Sequence, residues 1–376
     1  MQRLLSLVLL GVLILVPGAA AAQEASLPPE LAAELQALLQ VTYESSDDLP
    51  GMVLLVDTEA GQFASAVGYA NLENQVPLSV EHTFRIGSIS KMMTAVLILQ
   101  QAEEGVLSLD DPLAAWLPEL AAALPHGEEI TIRHLLNHSA GVAEYLANEV
   151  YYDDLLAQTR FEGGAARFDC GQEAESILRD YVLEMEPFFP PSESGDFEYS
   201  NSHYLLLGLI LEAATGEPLA TLYREWIFEP LGMTSSYTFC GEAPIGQLTH
   251  GYSELDGQVW DVVDFNDGGN LADGTVVSTA QDLLRFGQGL AAGELFEAEA
   301  TLATMLADPF LNEYGLGVMV MDDLIGHSGG MVGYLSYLMV NLDSGAAIVL
   351  LVNTDITDPT DILWEANDLL IEYLDE

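Results

Sequence analysis

Strand-like sequence lies at the two ends of this chain and is nearly missing from a long helical middle, so the ends must come together to bury it. Near the start, Gly51 to Val56 is a short apolar run, Thr58 to Gln62 a turn, and Phe63 to Tyr69 a returning strand. Strand character resumes in Gly315 to Met321, and Tyr334 to Val340 and Ala346 to Val352 bracket the turn Asn341 to Gly345. The strands before residue 85 are too few to bury a core alone. The expected fold class is therefore α+β, an α/β sandwich. One antiparallel sheet is built from both ends, flanked by N- and C-terminal helices, with 106–250 as an inserted, mainly helical region. Leucines at 31, 35, 38 and 39 mark the first helix, and Asp361 to Leu374 the last. Further helices are expected at Ser88–Glu104, Ile132–His138 and Ser202–Thr215, stopped by Gly105, Ser139-Ala140-Gly141 and Gly216.

Met1-Gln2-Arg3, an apolar run to Val16 and the small residues before Gln23 have the form of a secretory leader over 1–22. The expectation is a secreted or periplasmic domain over 23–376. No cysteine sits near the cleavage point and no later apolar run is long enough to span a bilayer, so no membrane anchor is expected after leader removal. A formal charge of −50 opposes nucleic acid and anionic membranes as partners; it suits salt, low pH or simply a solvated surface. The two cysteines, Cys170 and Cys240, suggest a disulfide outside the cytosol, the alternative being two independent buried thiols.

The chain has one lysine, Lys91, three residues after Ser88 at the start of an apolar helix. That spacing is one helical turn and puts a primary amine beside a hydroxyl. An amine can lose its proton when desolvated, whereas arginine cannot. Ser-x-x-Lys is the nucleophile motif of β-lactamases and penicillin-binding proteins, and Ser88 at a helix start would have its developing anion stabilised by the helix dipole. Tyr199-Ser200-Asn201 precedes another helix; a tyrosine near a lysine can act as base, and an asparagine can accept from an ammonium and donate to a carbonyl. Taken singly, Tyr199 is an ordinary aromatic and Asn201 a helix cap. Gly326-His327-Ser328-Gly329-Gly330 lies between expected strands, where small residues allow close approach to a ligand. The N–H of Gly330 could join that of Ser88 as an oxyanion hole. The segment also fits the Gly-x-Ser-x-Gly elbow of α/β-hydrolases, but that fold needs a histidine downstream and His327 is the last in the chain. His134 and His138 have zincin spacing with Leu135 where a glutamate belongs, and no EF-hand spacing is present. No metal or cofactor is expected.

Together these three motifs resemble the serine β-lactamase-like family, which includes class C β-lactamases, D-alanyl-D-alanine carboxypeptidases, D-aminopeptidases and related esterases. Phe84 to Lys91 is similar to the family's nucleophile segment. Ile130 to Gly141, Pro230 to Met233 and Ala280 to Leu283 look like further landmarks. The resemblance implies Ser88 as acylated nucleophile, Lys91 and Tyr199 sharing the base role, and Asn201 positioning Lys91 and the substrate carbonyl. It implies His327, Ser328 and Gly329 as substrate-binding residues. His327-Ser328-Gly329 replaces the Lys-Thr-Gly of class C enzymes and sides with the carboxypeptidase and esterase branches. No lysine or arginine follows Arg285, although a free carboxylate on a substrate wants a cation.

The expected function is an exported serine hydrolase acting on a small-molecule or peptide substrate through an acyl-enzyme. A D-alanyl-D-alanine carboxypeptidase-like peptidase is placed ahead of an esterase. The reading from another class is a non-catalytic, penicillin-recognising protein.

Overall fold

The computed structural model describes residues 26–46, 48–168, 173–192, 195–265, 271–307 and 313–375. The leader expected over 1–22 and Cys170 lie outside these residues. Seven strands form the main sheet: β1 (Gly51–Thr58), β2 (Gly61–Asn71), β3 (Val76–Pro77), β4 (Met319–Met321), β5 (Leu324–Met331), β6 (Tyr334–Asn341) and β7 (Ala347–Val352). Their order is β4-β5-β6-β7-β1-β2-β3, each neighbouring pair antiparallel. The two ends of the chain meet at the β1–β7 seam, where Met52 faces Val352 and Asp57 faces Ala347.

Both faces of the seam are covered, and the period of two along each strand sorts its side chains between them. Met52, Leu54 and Val56 with Ile348, Leu350 and Val352 point to one core, while Val53, Leu55, Val349 and Leu351 point to the other. The first core is closed by α1 (Pro29–Glu44) and by the C-terminal helix Asp361–Asp375. α1 supplies Leu31, Leu35 and Leu39, one per helical turn, and the C-terminal helix Ile362, Leu363, Ala366 and Leu370. The second core holds α2 (Ile89–Glu103), buried without interruption from Ile89 to Gln101. A helix apolar on every side belongs inside a protein, and α2 lies between the sheet and the helical region. That region contributes α3 (Ile132–Leu136) and α4 (Asn201–Thr215). α5 (Ala280–Ala291) packs on the sheet through Leu283, Phe286 and Leu290.

Two findings differ from the sequence expectations. The strand expected over Gly315 to Met321 is confined to Met319–Met321. Gly317 has φ +76, and a Cβ there would stand 2.5 Å from the Ala95 methyl. A Cβ at Gly315 would fall on the Met305 carbonyl. Gly317 thus lets the loop lie against α2, and Gly315 lets it pass the end of the helix Glu299–Leu306. The stretch 106–250 also contains strands: Arg160–Glu162 and Ala165–Arg167 join Tyr252–Leu255 and Gln258–Asp261 in a four-stranded sheet. A third, small sheet pairs Phe84–Arg85 and Tyr237–Thr238 with Val276–Ser278. It fixes the segment just before α2 against the segment just before α5. Cys240 is disulfide-bonded.

Candidate active site

Ser88 occupies the N-cap position of α2, but with helical backbone angles (φ −63, ψ −10) and no bond from its side chain to the helix. Its Oγ is therefore free for another partner, and that partner is Lys91. The Nζ of Lys91 lies 2.9 Å from Ser88 Oγ, 2.6 Å from Asn201 Oδ1 and 2.8 Å from the backbone carbonyl of Asp273. Lys91 is wholly buried. Three acceptors suit the three N–H groups of an ammonium. As a neutral amine, the same nitrogen would donate to Asn201 and Asp273 and turn its lone pair toward the Ser88 hydroxyl. The cage thus accommodates both forms of the amine without rearrangement, as a proton carrier requires.

Each partner of Lys91 is held by a separate element. Asn201 is the first residue of α4; its backbone N–H is capped by Glu144 Oε2 at 2.5 Å, so its side chain is free to reach Lys91. The Asp273 carbonyl is brought in by the small sheet, where Val277 faces Arg85 and Ser90 Oγ accepts from the Val276 N–H at 3.1 Å. Neither Glu144 nor Asp273 stood out in the sequence. They lie in segments without periodicity, and only the tertiary pairing of residues 84–85 with 276–278 carries Asp273 to the site.

Gly330 meets Ser88 through two close approaches. Gly87 has φ +50, and a Cβ on it would come 3.0 Å from the Gly330 nitrogen; a Cβ on Gly329 would fall on the Ile86 carbonyl. Side chains at either glycine would push β5 off the nucleophile segment. Beyond Gly326, β5 has no neighbour on its β4 side among the described residues, so the edge from His327 to Met331 is open there. Ser88 and Gly330 line two adjoining clefts. One, of about 320 Å³, continues over Tyr145, Asn201 and Asp273. The other, of about 530 Å³, continues over Tyr199, Tyr314, His327 and Ser328.

The structure brings Tyr199 to this site without a hydrogen bond to Ser88 or Lys91 among the described residues. Its ring centroid is 5.1 Å from Lys91 Nζ and 4.4 Å from the His138 ring. His138, expected inside a helix, instead follows α3 with φ +59 and turns its imidazole under Tyr199. His134 closes a capping box with Thr131, so the i, i+4 histidines serve separate ends. His138 Nδ1 accepts the Ser200 N–H at 3.2 Å and lies 2.9 Å from His203 Nδ1. Burial, then Lys91, pushes His203 down to about 3; burial likewise holds His138 well below the ordinary imidazole range.

His327 was expected to bind substrate, in the place where class C enzymes have a lysine. Its side chain is buried, with Nε2 3.1 Å from the Tyr314 hydroxyl and Nδ1 2.5 Å from the Ser328 carbonyl. Burial, reinforced by Lys91, pushes it down to about 4. It is neutral at pH 7 and offers no charge to a carboxylate. Among the described residues, neither cleft is lined by a lysine or an arginine. Glu73, His250 and Asp261 are grouped closely enough to hold a metal ion, but they bond internally and to Tyr252 and line neither cleft.

A family model described as Beta-lactamase matches residues 31–372. A penicillin-binding protein of Bacillus subtilis is 27% identical over 343 residues, covering 85% of this chain and 71% of its own length. An esterase of Burkholderia gladioli is 30% identical over 182 residues, 46% of this chain and 42% of its own. Among solved structures, a D-amino acid amidase from Ochrobactrum anthropi superposes with a TM-score of 0.74 at 26% identity, covering 90% of this chain and 99% of that one. A penicillin-binding protein homologue from Pyrococcus abyssi gives 0.76 at 26% identity, covering 90% and 77%.

Proposed function

The chain belongs to the β-lactamase family of serine hydrolases, and on that premise we propose that it works through an acyl-enzyme on Ser88. The observation that carries this is the 2.9 Å contact between Lys91 Nζ and Ser88 Oγ inside a closed cage of acceptors. Neutral Lys91 takes the hydroxyl proton as Oγ attacks the substrate carbonyl carbon. The N–H groups of Ser88 and Gly330 face the oxyanion, at the start of α2 where the helix dipole favours negative charge. The proton then passes to the leaving group, from Lys91 directly or by way of Tyr199, and the acyl-enzyme forms. Water attacks the ester with the same amine as base, and Ser88 is restored.

The clefts favour an uncharged ester, or an amide without a free carboxylate, over a D-alanyl-D-alanine peptide. This reverses the order drawn from sequence. A carboxylate seeks an arginine or lysine; among the described residues neither lines the clefts, and burial holds His327 low, at about 4. A panel of nitrophenyl ester, D-amino-acid amide, D-Ala-D-Ala peptide and nitrocefin-type β-lactam tests this. The ester and the amide are expected to show the higher kcat/KM. A peptide or β-lactam bearing a free carboxylate as the best substrate would contradict it. Export belongs to the same proposal, resting on the leader-like residues 1–22.

A further inference from the structure

A second group of ligating side chains lies away from both clefts, where the β2–β3 turn meets the hairpin of Tyr252–Leu255 and Gln258–Asp261. Glu73 comes from the turn, His250 from just before the hairpin, and Asp261 from its end. One ligand atom of each lies within 4.8 Å of the other two. Asp261 is buried, His250 half-buried and Glu73 exposed, so solvent reaches the group from the Glu73 side. Each of the three is also held from behind. Asp261 Oδ2 lies 2.6 Å from His250 Nδ1, while its Oδ1 accepts from the Val263 N–H at 3.0 Å. Glu73 Oε2 accepts from the Tyr252 hydroxyl at 2.8 Å, and that oxygen accepts in turn from the Leu72 N–H at 2.7 Å. The Asn71 amide nitrogen lies 3.0 Å from each ring nitrogen of His250, and its Oδ1 is anchored by the Asn74 N–H at 2.7 Å. Outer contacts of this kind orient the ligands of a metal ion. The charge is one-sided. The charged groups acting on His250 are Asp261, Glu73 and Asp264, all acidic. Arg167 pairs with Asp264 at 3.5 Å, but among the described residues no lysine or arginine pairs with Glu73 or Asp261.

We propose that Glu73, His250 and Asp261 form a structural site for a first-row divalent ion of the Zn²⁺ type. A proton on His250 offsets only one of the two carboxylates, whereas a dication offsets both and leaves the imidazole neutral as a nitrogen ligand. One imidazole with two carboxylates suits zinc; calcium and magnesium take oxygen ligands. Zinc–ligand bonds of about 2.0–2.2 Å set tetrahedral ligand atoms about 3.3 Å apart. His250 and Asp261 therefore part only slightly, the exposed Glu73 swings in, and water takes the fourth position. The site bears on the active-site wall without touching substrate. Gly251 and Val262, each next to a ligand in sequence, pack on the turn between β5 and β6. A Cβ on Gly333 would stand 2.2 Å from Val262 Cγ2, and one on Gly251 would stand 2.5 Å from the Tyr334 ring. The Tyr334 hydroxyl donates to the Thr249 carbonyl at 2.7 Å. The ion thus braces, from outside, the strand that carries the Gly330 N–H.

The test is calorimetric titration of the untagged, folded chain with ZnCl₂ after treatment with EDTA and dialysis. CaCl₂ and MgCl₂ serve as controls for the diffuse attraction of cations to a chain of net charge −50. The wild type should take one Zn²⁺ saturably, at least about tenfold more tightly than Ca²⁺, because the histidine discriminates against hard cations. Its Tm should rise by about 3–4 °C at a free Zn²⁺ concentration a hundredfold above Kd. Glu73→Gln keeps an acceptor for Tyr252 and removes one ligand charge. It should weaken Zn²⁺ by at least about tenfold, since loss even of an outer partner costs about 10- to 100-fold. His250→Gln should do the same. Glu73 is exposed, so its variant keeps the test decisive even where the histidine variant does not fold. No saturable Zn²⁺ binding by the wild type, Zn²⁺ binding that Glu73→Gln leaves unchanged, or Ca²⁺ bound as tightly as Zn²⁺ would each overturn the site.

Discussion

Ser88→Ala should lose hydrolysis of every substrate the wild type turns over, with kcat down by about a millionfold, the scale on which removal of a serine nucleophile acts. The size of the effect follows from the geometry. Ser88 Oγ is the hydroxyl in contact with the Lys91 amine, and it makes no helix cap that the substitution could disturb. Alanine fits the same backbone, so the loss reports chemistry rather than folding. Two nearby serines are poorly placed to take over. Ser90 Oγ is buried and engaged by the Val276 N–H. Ser328 lines the second cleft but is the centre of the Gly-x-Ser-x-Gly sequence without a base behind it: the neighbouring His327 is turned to Tyr314 and to the Ser328 carbonyl. Activity that survived Ser88→Ala and vanished in Ser328→Ala would move the nucleophile to Ser328. The measurement is steady-state turnover of a nitrophenyl ester by both variants, with near-ultraviolet circular dichroism to verify packing.

Lys91→Arg should lower kcat/KM by about 10²- to 10⁴-fold, the range for a lost general base. The argument turns on proton chemistry rather than charge. In the cage of Ser88, Asn201 and the Asp273 carbonyl, the nitrogen must be able to give up one proton and keep two donors in place. A guanidinium keeps its charge at any accessible pH. It is also larger than the wholly buried side chain it replaces, so Lys91→Met, neutral and of similar length, belongs in the same experiment. Both variants should fall by a similar factor when chemistry is the cause. Near-normal turnover by the arginine variant would reject Lys91 as the base and pass that role to Tyr199. Single-turnover acylation separates the loss of the first step from any effect on product release.

Much of this site was legible because its parts lie within single elements. Ser88 and Lys91 are one helical turn apart, a relation that spacing alone reveals. The β1–β7 seam was legible for the same reason: continuous apolar runs such as Leu54 to Val56 and Ile348 to Val352 are what a strand buried on both faces needs. The illegible residues act across elements. Asp273 reaches Lys91 through a three-stranded patch only two or three residues wide. Glu144 caps a helix 57 positions further along the chain. The contact of His327 with Tyr314, which immediately precedes the stretch expected to be a strand, was not legible either, although His327 does line the second cleft. Gly315 and Gly317 misled in the same direction: a run of apolar residues hid the close backbone contacts that only glycine permits.

The most direct measurement is intact-mass spectrometry of the folded chain after exposure to a fluorophosphonate, followed by peptide mapping. The account predicts one stoichiometric adduct, located on Ser88 and lost in Ser88→Ala. A folded wild-type protein that takes no adduct, or carries it on another residue, would contradict the acyl-enzyme mechanism and favour a protein that only binds.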